Sequence, residues 1–387
     1  MKICFLIRSL GLGGAERQLV NLATGLASRG WQISVAVMYP GGVLEEELRQ
    51  AGIEVYSVEK RNRLQTGRVV FKLWRWLRRE RPDVLHSYLT VCNILSGIIG
   101  TLMPSLNVVW GVRASKLPLD AYDWLIGLTE RASAFFARRA DLIIVNSEAG
   151  KRDCLKSGYP SGKTIVIPNG IDTRCFAPDH SARTRMRALL KVGADERLIG
   201  LVARLDPVKG HSLFLHAASR LANTHENARF LCVGDGSESV RNELQALARR
   251  LGIGNRISWL AAGQDMPAVY NALDILCCSS LSEGFPNVLG EGMACGTPCV
   301  TTAVGDAERL VGNTGEVAAS ADPESMCAAW ETMLGRIARD GARLGMQCRE
   351  RVSQCYTHEH LVDRTAEALT ELVAPRSPLP SDTRPLT

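Results

Sequence analysis

Short apolar runs rich in β-branched residues alternate with helix-patterned stretches along this chain, and the alternation occurs twice. The first half carries KICFLIR, WQISVAVMY, IEVYSV, DVLHSY, NVVWGV and DLIIVNS; the second carries RLIGLVAR, RFLCVGDG, RISWL, DILCCSS and PCVTTAV. Strands spaced by helices in this way predict parallel sheets with helices on both faces. The clearest helix is RVVFKLWRWLRRE, residues 68–80. Val69, Leu73, Trp76 and Leu77 share one face of it, and Arg68, Lys72, Arg75 and Arg79 share the other. Between the two series lies VIPNGIDTRCFAPD, where Pro168, Asn169, Gly170 and Pro178 make a turn-rich connection. At 387 residues the chain is too long for one ordinary core. The expected fold is α/β, two doubly wound Rossmann-like domains facing across a cleft, with a boundary near residue 178. Open α/β sheets bind ligands beyond the C-terminal ends of their strands, so the cleft is the expected site. The tail, APRSPLPSDTRPLT, has the Pro- and Ser-rich composition of a disordered segment.

Composition narrows the function. A formal net charge of +6 is only mildly basic, and aromatic residues do not interleave with the basic ones, so no nucleic-acid partner is expected. The twelve cysteines are scattered and form no C-x-x-C, which reads as buried thiols in a reducing compartment rather than a zinc or redox centre. The N-terminus, MKICFLIR, has too short an apolar stretch for a signal peptide, and NILSGIIGTLM is too short to span a bilayer. These features predict a cytoplasmic protein.

The stretch SEGFPNVLGEG, residues 282–292, sets Glu283 and Glu291 on either side of a helix start. Pro286 suits the first turn of that helix, and Gly296 stops it before Pro298 opens the next strand. The amides of Phe285, Asn287 and Val288 would point out of the helix N-terminus, an arrangement suited to phosphate. Glu283 would sit at a strand end and Glu291 one to two turns into the helix. One reading is a dipole-complementing acid and an exposed helix glutamate. The other is a pair of carboxylates holding the sugars on either side of a diphosphate. LVARLDPVKGHS favours the second, because Arg204 at a strand end and Lys209 at a helix start supply two cations at the same sheet edge.

These residues carry a family resemblance. From GLGGAERQLVNLA through VIPNGID, ARLDPVKG, VGDGSE and SEGFPNVLGEGMACGTPCV to VGDAERLVGNTG, nearly the whole chain resembles glycosyltransferase family 4, retaining nucleotide-sugar-dependent enzymes of the GT-B fold. The resemblance implies an acceptor-side domain over residues 1–178 and a nucleotide-sugar donor domain over 179–356. A C-terminal helix over 357–373 would pack back toward the N-terminal domain, ahead of the tail at 374–387. It implies that Glu283 touches the transferred sugar and Glu291 the ribose, with Arg204 and Lys209 on the diphosphate. It also implies donor contacts at Gly284, Phe285, Asn287 and Val288. The glycine loop GLGGAERQ would face donor and acceptor through Gly13 and Gly14, and Gly234 would make a tight turn beneath the base. Glu16 either caps the first helix or contacts the acceptor, and Arg113 either binds an anionic acceptor or pairs internally. His86 is expected at a strand end facing the cleft. Members often carry a second histidine two residues on, where this chain has Tyr88, which leaves open whether His86 or Tyr88 meets the donor sugar.

The function implied is transfer of a sugar from a nucleotide diphosphate to a hydroxyl of a glycan or lipid-linked glycan, in surface-polysaccharide or glycoconjugate biosynthesis. No Asp-x-Asp occurs, so side-chain cations rather than a metal are expected to stabilise the leaving group, with no cofactor. The rival readings are a sugar-nucleotide epimerase on the same fold and a non-catalytic sugar-nucleotide-binding protein. The basic helix, with KRNR at 60–63 and Arg131, Arg138 and Arg139, is either a solvated face or a docking surface for anionic lipid at the inner membrane face.

Overall fold

The structure is a computed structural model, and the residues it describes are 1–59, 66–113 and 124–374. The KRNR cluster and the tail beyond Ala374 lie outside the described residues. Seven strands form the first sheet: β1 (Lys2–Ile7), β2 (Gln32–Val37), β3 (Glu54–Ser57), β4 (Val84–Tyr88), β5 (Asn107–Val112), β6 (Leu142–Val145) and β7 (Thr164–Val166). They run parallel in the order β3-β2-β1-β4-β5-β6-β7. The helices between them are α1 (Gly14–Ala27), α2 (Glu45–Gln50), α3 (Thr66–Glu80), α4 (Thr90–Leu102), α5 (Trp124–Ala137) and α6 (Glu148–Lys156).

The second sheet holds β8 (Arg197–Val202), β9 (Ala228–Val233), β10 (Ile257–Leu260), β11 (Ile275–Cys278), β12 (Cys299–Thr301) and β13 (Glu316–Val317), parallel in the order β10-β9-β8-β11-β12-β13. Its helices are α7 (His180–Leu189), α8 (His211–Thr224), α9 (Glu238–Arg250), α10 (Met266–Ala272), α11 (Asn287–Ala294), α12 (Ala307–Val311), α13 (Pro323–Asp340) and α14 (Ala342–Cys355). The chain ends its described course in α15 (His358–Val373).

Both faces of each sheet are covered, which is why the strands read as continuous apolar runs. In β1, Ile3, Phe5 and Ile7 join a core with α1 and α15, while Cys4 and Leu6 join another with α3 and α4. In β11, Leu276 and Cys278 pack with α10 and α11, and Ile275 and Cys277 pack with α8 and α13. On α3 the apolar face is buried through Val69, Leu73, Trp76 and Leu77, with Arg68, Arg75 and Arg79 exposed.

The chain passes between the sheets twice, and the two passes pair. Ile171 donates its amide to Tyr356 O at 2.8 Å, and His358 donates to Ile171 O at 2.9 Å. α15 then packs against α1, its Leu361, Val362 and Leu369 entering the core of the first sheet. In each sheet the winding reverses beside the first strand, between β1 and β4 and between β8 and β11. Loops diverge at such a switch point and open a crevice. The GLGG loop follows β1, the Arg204–Lys209 loop follows β8, and the Glu283 loop follows β11.

Candidate functional site

The cationic loop is zipped to the neighbouring strand. Asp206 caps a 3₁₀ turn at Pro207–Lys209, accepting from the Val208 amide at 3.0 Å. Gly210 follows at φ +68°, where a Cβ would overlap the Ser279 carbonyl, so only glycine lets the β8 and β11 loops touch. Leu281 donates its amide to Val208 O at 2.7 Å, and the Ser279 hydroxyl lies 3.1 and 3.0 Å from the carbonyls of Lys209 and Gly210. The result is an ion pair across the two loops. Lys209 Nζ stands 2.5 Å from Glu283 Oε1, which also accepts from Ser280 Oγ at 2.7 Å. Both side chains are largely enclosed, at 22% and 15% exposure. Arg204 differs: its side chain is 75% exposed and lies 3.8 Å from Asp206.

Pro286 precedes α11, and the amides of Asn287 and Val288 in its first turn meet no protein acceptor among the described residues. Phe285 turns its ring into the core, 5.5 Å from Tyr356, leaving only its backbone toward the crevice. Glu291 accepts from Tyr270 Oη at 2.6 Å. Burial pushes the Glu291 carboxyl above its ordinary 4.5, with the Tyr270 hydrogen bond and the charge of Arg17 pulling the other way. Burial, and then the Glu291 charge, pushes the Tyr270 hydroxyl well above 10.

The first sheet reaches the start of α11. A Cβ on Gly14 would lie 3.1 Å from Asn287 Nδ2, so the glycine loop stands directly against it. Asn287 Oδ1 accepts from Asn169 Nδ2 at 2.7 Å, and Asn169 Oδ1 accepts from Arg113 Nη1 at 2.7 Å. Arg113 also donates to Tyr88 Oη at 2.9 Å and lies over the Tyr88 ring, 4.9 Å from its centroid. Gly284 abuts the side chain of Asn146, at the end of β6. The Glu16 carboxylate folds over Gly13 and makes no cap bond to α1. Gly234, at φ +153°, wedges its turn against the Ala203 carbonyl.

His86 is not at a strand end facing the cleft. It is the third residue of five in β4, in register with Phe5 and Val109, and fully buried. Its ring packs 5.3 Å from Phe5 and 4.9 Å from Tyr88, with neither nitrogen hydrogen-bonded. Burial, reinforced by the Arg113 charge, holds it well below 6.5 and neutral. Tyr88 occupies the strand end, and Arg113 pairs internally with it. The strand runs two residues past His86 because Ser87 and Tyr88 continue the pairing with β5, opposite Trp110 and Gly111.

Sequence reasoning missed Ser280, which orients Glu283, and Tyr270, which holds Glu291. It read Asn169 only as a turn residue. It also missed Asp306, whose carboxylate accepts from the Glu148 and Ala149 amides at 2.8 and 2.9 Å. The VGDAERLVGNTG stretch that contains Asp306 was visible, but its contact lies more than 150 residues away in sequence. Among the described residues, no group of three or more His, Cys, Asp or Glu gathers as a metal site. Nor is any helix among them long and apolar enough to cross a membrane.

Two family models tile the chain. Residues 12–174 match the one described as Glycosyltransferase Family 4, and residues 196–336 match Glycosyl transferases group 1. A D-inositol 3-phosphate glycosyltransferase of Corynebacterium jeikeium is 33% identical over 278 residues, 67% of this chain and 64% of that protein, so the match spans less than two thirds of the relative. Among solved structures, Alr3699/HepE of Anabaena in complex with UDP and glucose superposes with a TM-score of 0.85 at 24% identity, covering 96% of this chain and all of that one. WaaG, a glycosyltransferase involved in lipopolysaccharide biosynthesis, superposes with a TM-score of 0.74 at 17% identity, again covering 96% of this chain and 100% of that one. At these identities the superpositions establish the GT-B fold.

Proposed function

Given a chain built from two glycosyltransferase domains on the GT-B fold, we propose that it is a retaining, metal-independent glycosyltransferase. Its donor is a nucleotide diphosphate sugar, and its acceptor is a hydroxyl of a glycan or lipid-linked glycan. The observation that carries this reading is the Lys209–Glu283 pair beside the open amides of α11, with Glu291 held further along the same helix. Cleaving the bond to the sugar builds negative charge on the departing diphosphate. Lys209, the α11 amides and the exposed Arg204 at the mouth meet that charge where it develops. Glu283 addresses hydroxyls of the transferred sugar, and Glu291 the ribose diol. The departing phosphate assists the acceptor hydroxyl on the same face, so configuration is retained without an enzyme nucleophile.

The UDP and glucose named for HepE support a nucleoside diphosphate donor, and the lipopolysaccharide pathway named for WaaG supports a surface-glycan acceptor. Peripheral contact with the inner membrane face is part of the proposal. On α3, Phe71 is 56% exposed beside the exposed Arg68, Arg75, Arg78 and Arg79, a mixture suited to anionic lipid.

The test is purified protein incubated with UDP-, GDP-, ADP- and dTDP-sugars, with release of nucleoside diphosphate followed with and without a glycan acceptor mixture. Acceptor-dependent release that falls about two to three orders of magnitude in Lys209→Ala supports the proposal. Interconversion of free nucleotide sugars without release, or no consumption of any of them, refutes it.

A further inference from the structure

Asp306 precedes α12 but does not cap it with its side chain. Its carboxylate instead reaches the other domain, where Oδ2 accepts from Glu148 N at 2.8 Å and Oδ1 from Ala149 N at 2.9 Å. Those are the first two amides of α6, and Ser147 Oγ takes the third, from Gly150, at 3.0 Å. An acid at a helix N-terminus satisfies orphan donors and complements the dipole, and here two of those donors are satisfied from across the domain boundary. The bond is well shielded, with Asp306 at 7% exposure and Arg309 lying 3.6 Å from Glu148 beside it.

The backbone of the same residue holds the Glu283 loop. Asp306 N–H donates to Gly284 O at 2.9 Å. Gly305, at φ +54°, lies so close to the carbonyls of Glu283 and Gly284 that a Cβ would overlap both. On its other side Gly284 meets Asn146, one residue before Ser147. The loop that presents Glu283 to Lys209 is therefore sandwiched between Asp306 and the start of α6.

We propose that Asp306 is a positioning residue: its cap on α6 couples the apposition of the two domains to the placement of Glu283. When the domains part, the carboxylate and the α6 amides return to water, and the loop loses its wall at Asn146. The kinetic part of this inference rests on the transfer reading; the coupling between the domains does not.

The experiment uses the full chain carrying Asp306→Ala, Asp306→Asn, Glu148→Pro or Glu148→Ala, with folding checked by circular dichroism. Proline fits the first position of α6, because Ser147 before it is already extended at φ −156°, ψ 152°. That change deletes one donor while Ser147 keeps its cap, and Glu148→Ala controls for the lost carboxylate. Hydrogen exchange is read over residues 148–150, and kcat and KM are measured with the nucleotide sugar that the wild type consumes. Asp306→Ala is expected to speed exchange in that segment at least about tenfold. Its kcat should fall roughly 10- to 100-fold, with donor KM within about threefold, as expected when a reacting group is misplaced rather than lost. Asp306→Asn should recover part of the loss. Glu148→Pro should reproduce part of it and Glu148→Ala should not, and the Asp306→Ala/Glu148→Pro double variant should be no worse than Asp306→Ala alone. Unchanged exchange over 148–150 in Asp306→Ala overturns the proposal, as do single-variant losses that multiply in the double variant. If the wild type consumes no nucleotide sugar, the transfer reading fails, and the exchange measurement alone still decides whether Asp306 caps α6 across the boundary.

Discussion

Replacing Glu283 by glutamine and replacing Lys209 by alanine should move nucleoside diphosphate affinity in opposite directions. Lys209 Nζ is paired with the Glu283 carboxylate at 2.5 Å. A phosphate oxygen in ionic contact about 3 Å from the lysine would lie about 5 Å from the Glu283 carboxylate. At that separation two unit charges repel by roughly 1 kcal/mol even with water-like screening, so removing the carboxylate charge should tighten binding about fivefold. Removing the lysine instead deletes a charge-assisted contact of about 1.5–3 kcal/mol, weakening binding roughly 10- to 100-fold. Glu283→Gln should still lose turnover, because its carboxylate is assigned to the sugar and not to the diphosphate. Titration calorimetry with UDP, GDP and ADP at low ionic strength, repeated in high salt, measures both effects, and the Glu283→Gln gain should shrink with salt. If Glu283→Gln weakens binding as much as Lys209→Ala, or if neither changes it, the pair is only a structural strut and the diphosphate site is misplaced.

Other consequences follow from single residues. His86→Phe should leave turnover within about threefold and hold or raise stability, since an apolar ring replaces two unpaired buried nitrogens. Because folded His86 stays neutral well below 6.5 while the unfolded residue protonates near there, the wild type should lose stability as pH falls below about 6.5. Denaturation curves for wild type and His86→Phe across pH 5–8 should show the variant without that component. Glu291 has the opposite sign. Its folded pKa lies above its ordinary 4.5, so its contribution to stability declines as pH rises from there through the folded value, and Glu291→Gln should gain relative stability above that window. The same variant should raise donor KM about tenfold with little change in kcat, as lost ribose binding predicts. Gly305→Ala should cost about 2–4 kcal/mol in chemical denaturation and most of the turnover, because its Cβ would overlap the carbonyls of the Glu283 loop at φ +54°.

What was legible in the sequence follows the reach of local physics. The start of α11 is written in a proline, its stop in Gly296, and the enclosing strands in β-branched runs, so Glu283 and Glu291 could be placed on their element from spacing alone. Arg204 and Lys209 were readable as the two sides of the turn from one strand into the next helix, although Lys209 closes a 3₁₀ turn and α8 opens only at His211. Partners supplied by other parts of the chain were not. Tyr270 reaches Glu291 from a separate helix, and Asn169 and Asp306 act across the boundary between the two sheets. No periodicity encodes such contacts. His86 shows the limit even within one strand: an apolar run marks a buried strand but does not say which residue stands at its edge.

A crystal structure of the protein with the nucleoside diphosphate that binds it best tests the central claim most directly. The diphosphate should lie within about 3 Å of Lys209 Nζ and of the Asn287 and Val288 amides, with the ribose hydroxyls on Glu291. A nucleotide bound elsewhere, or bound there with its phosphates turned away from Lys209 and the start of α11, would contradict it.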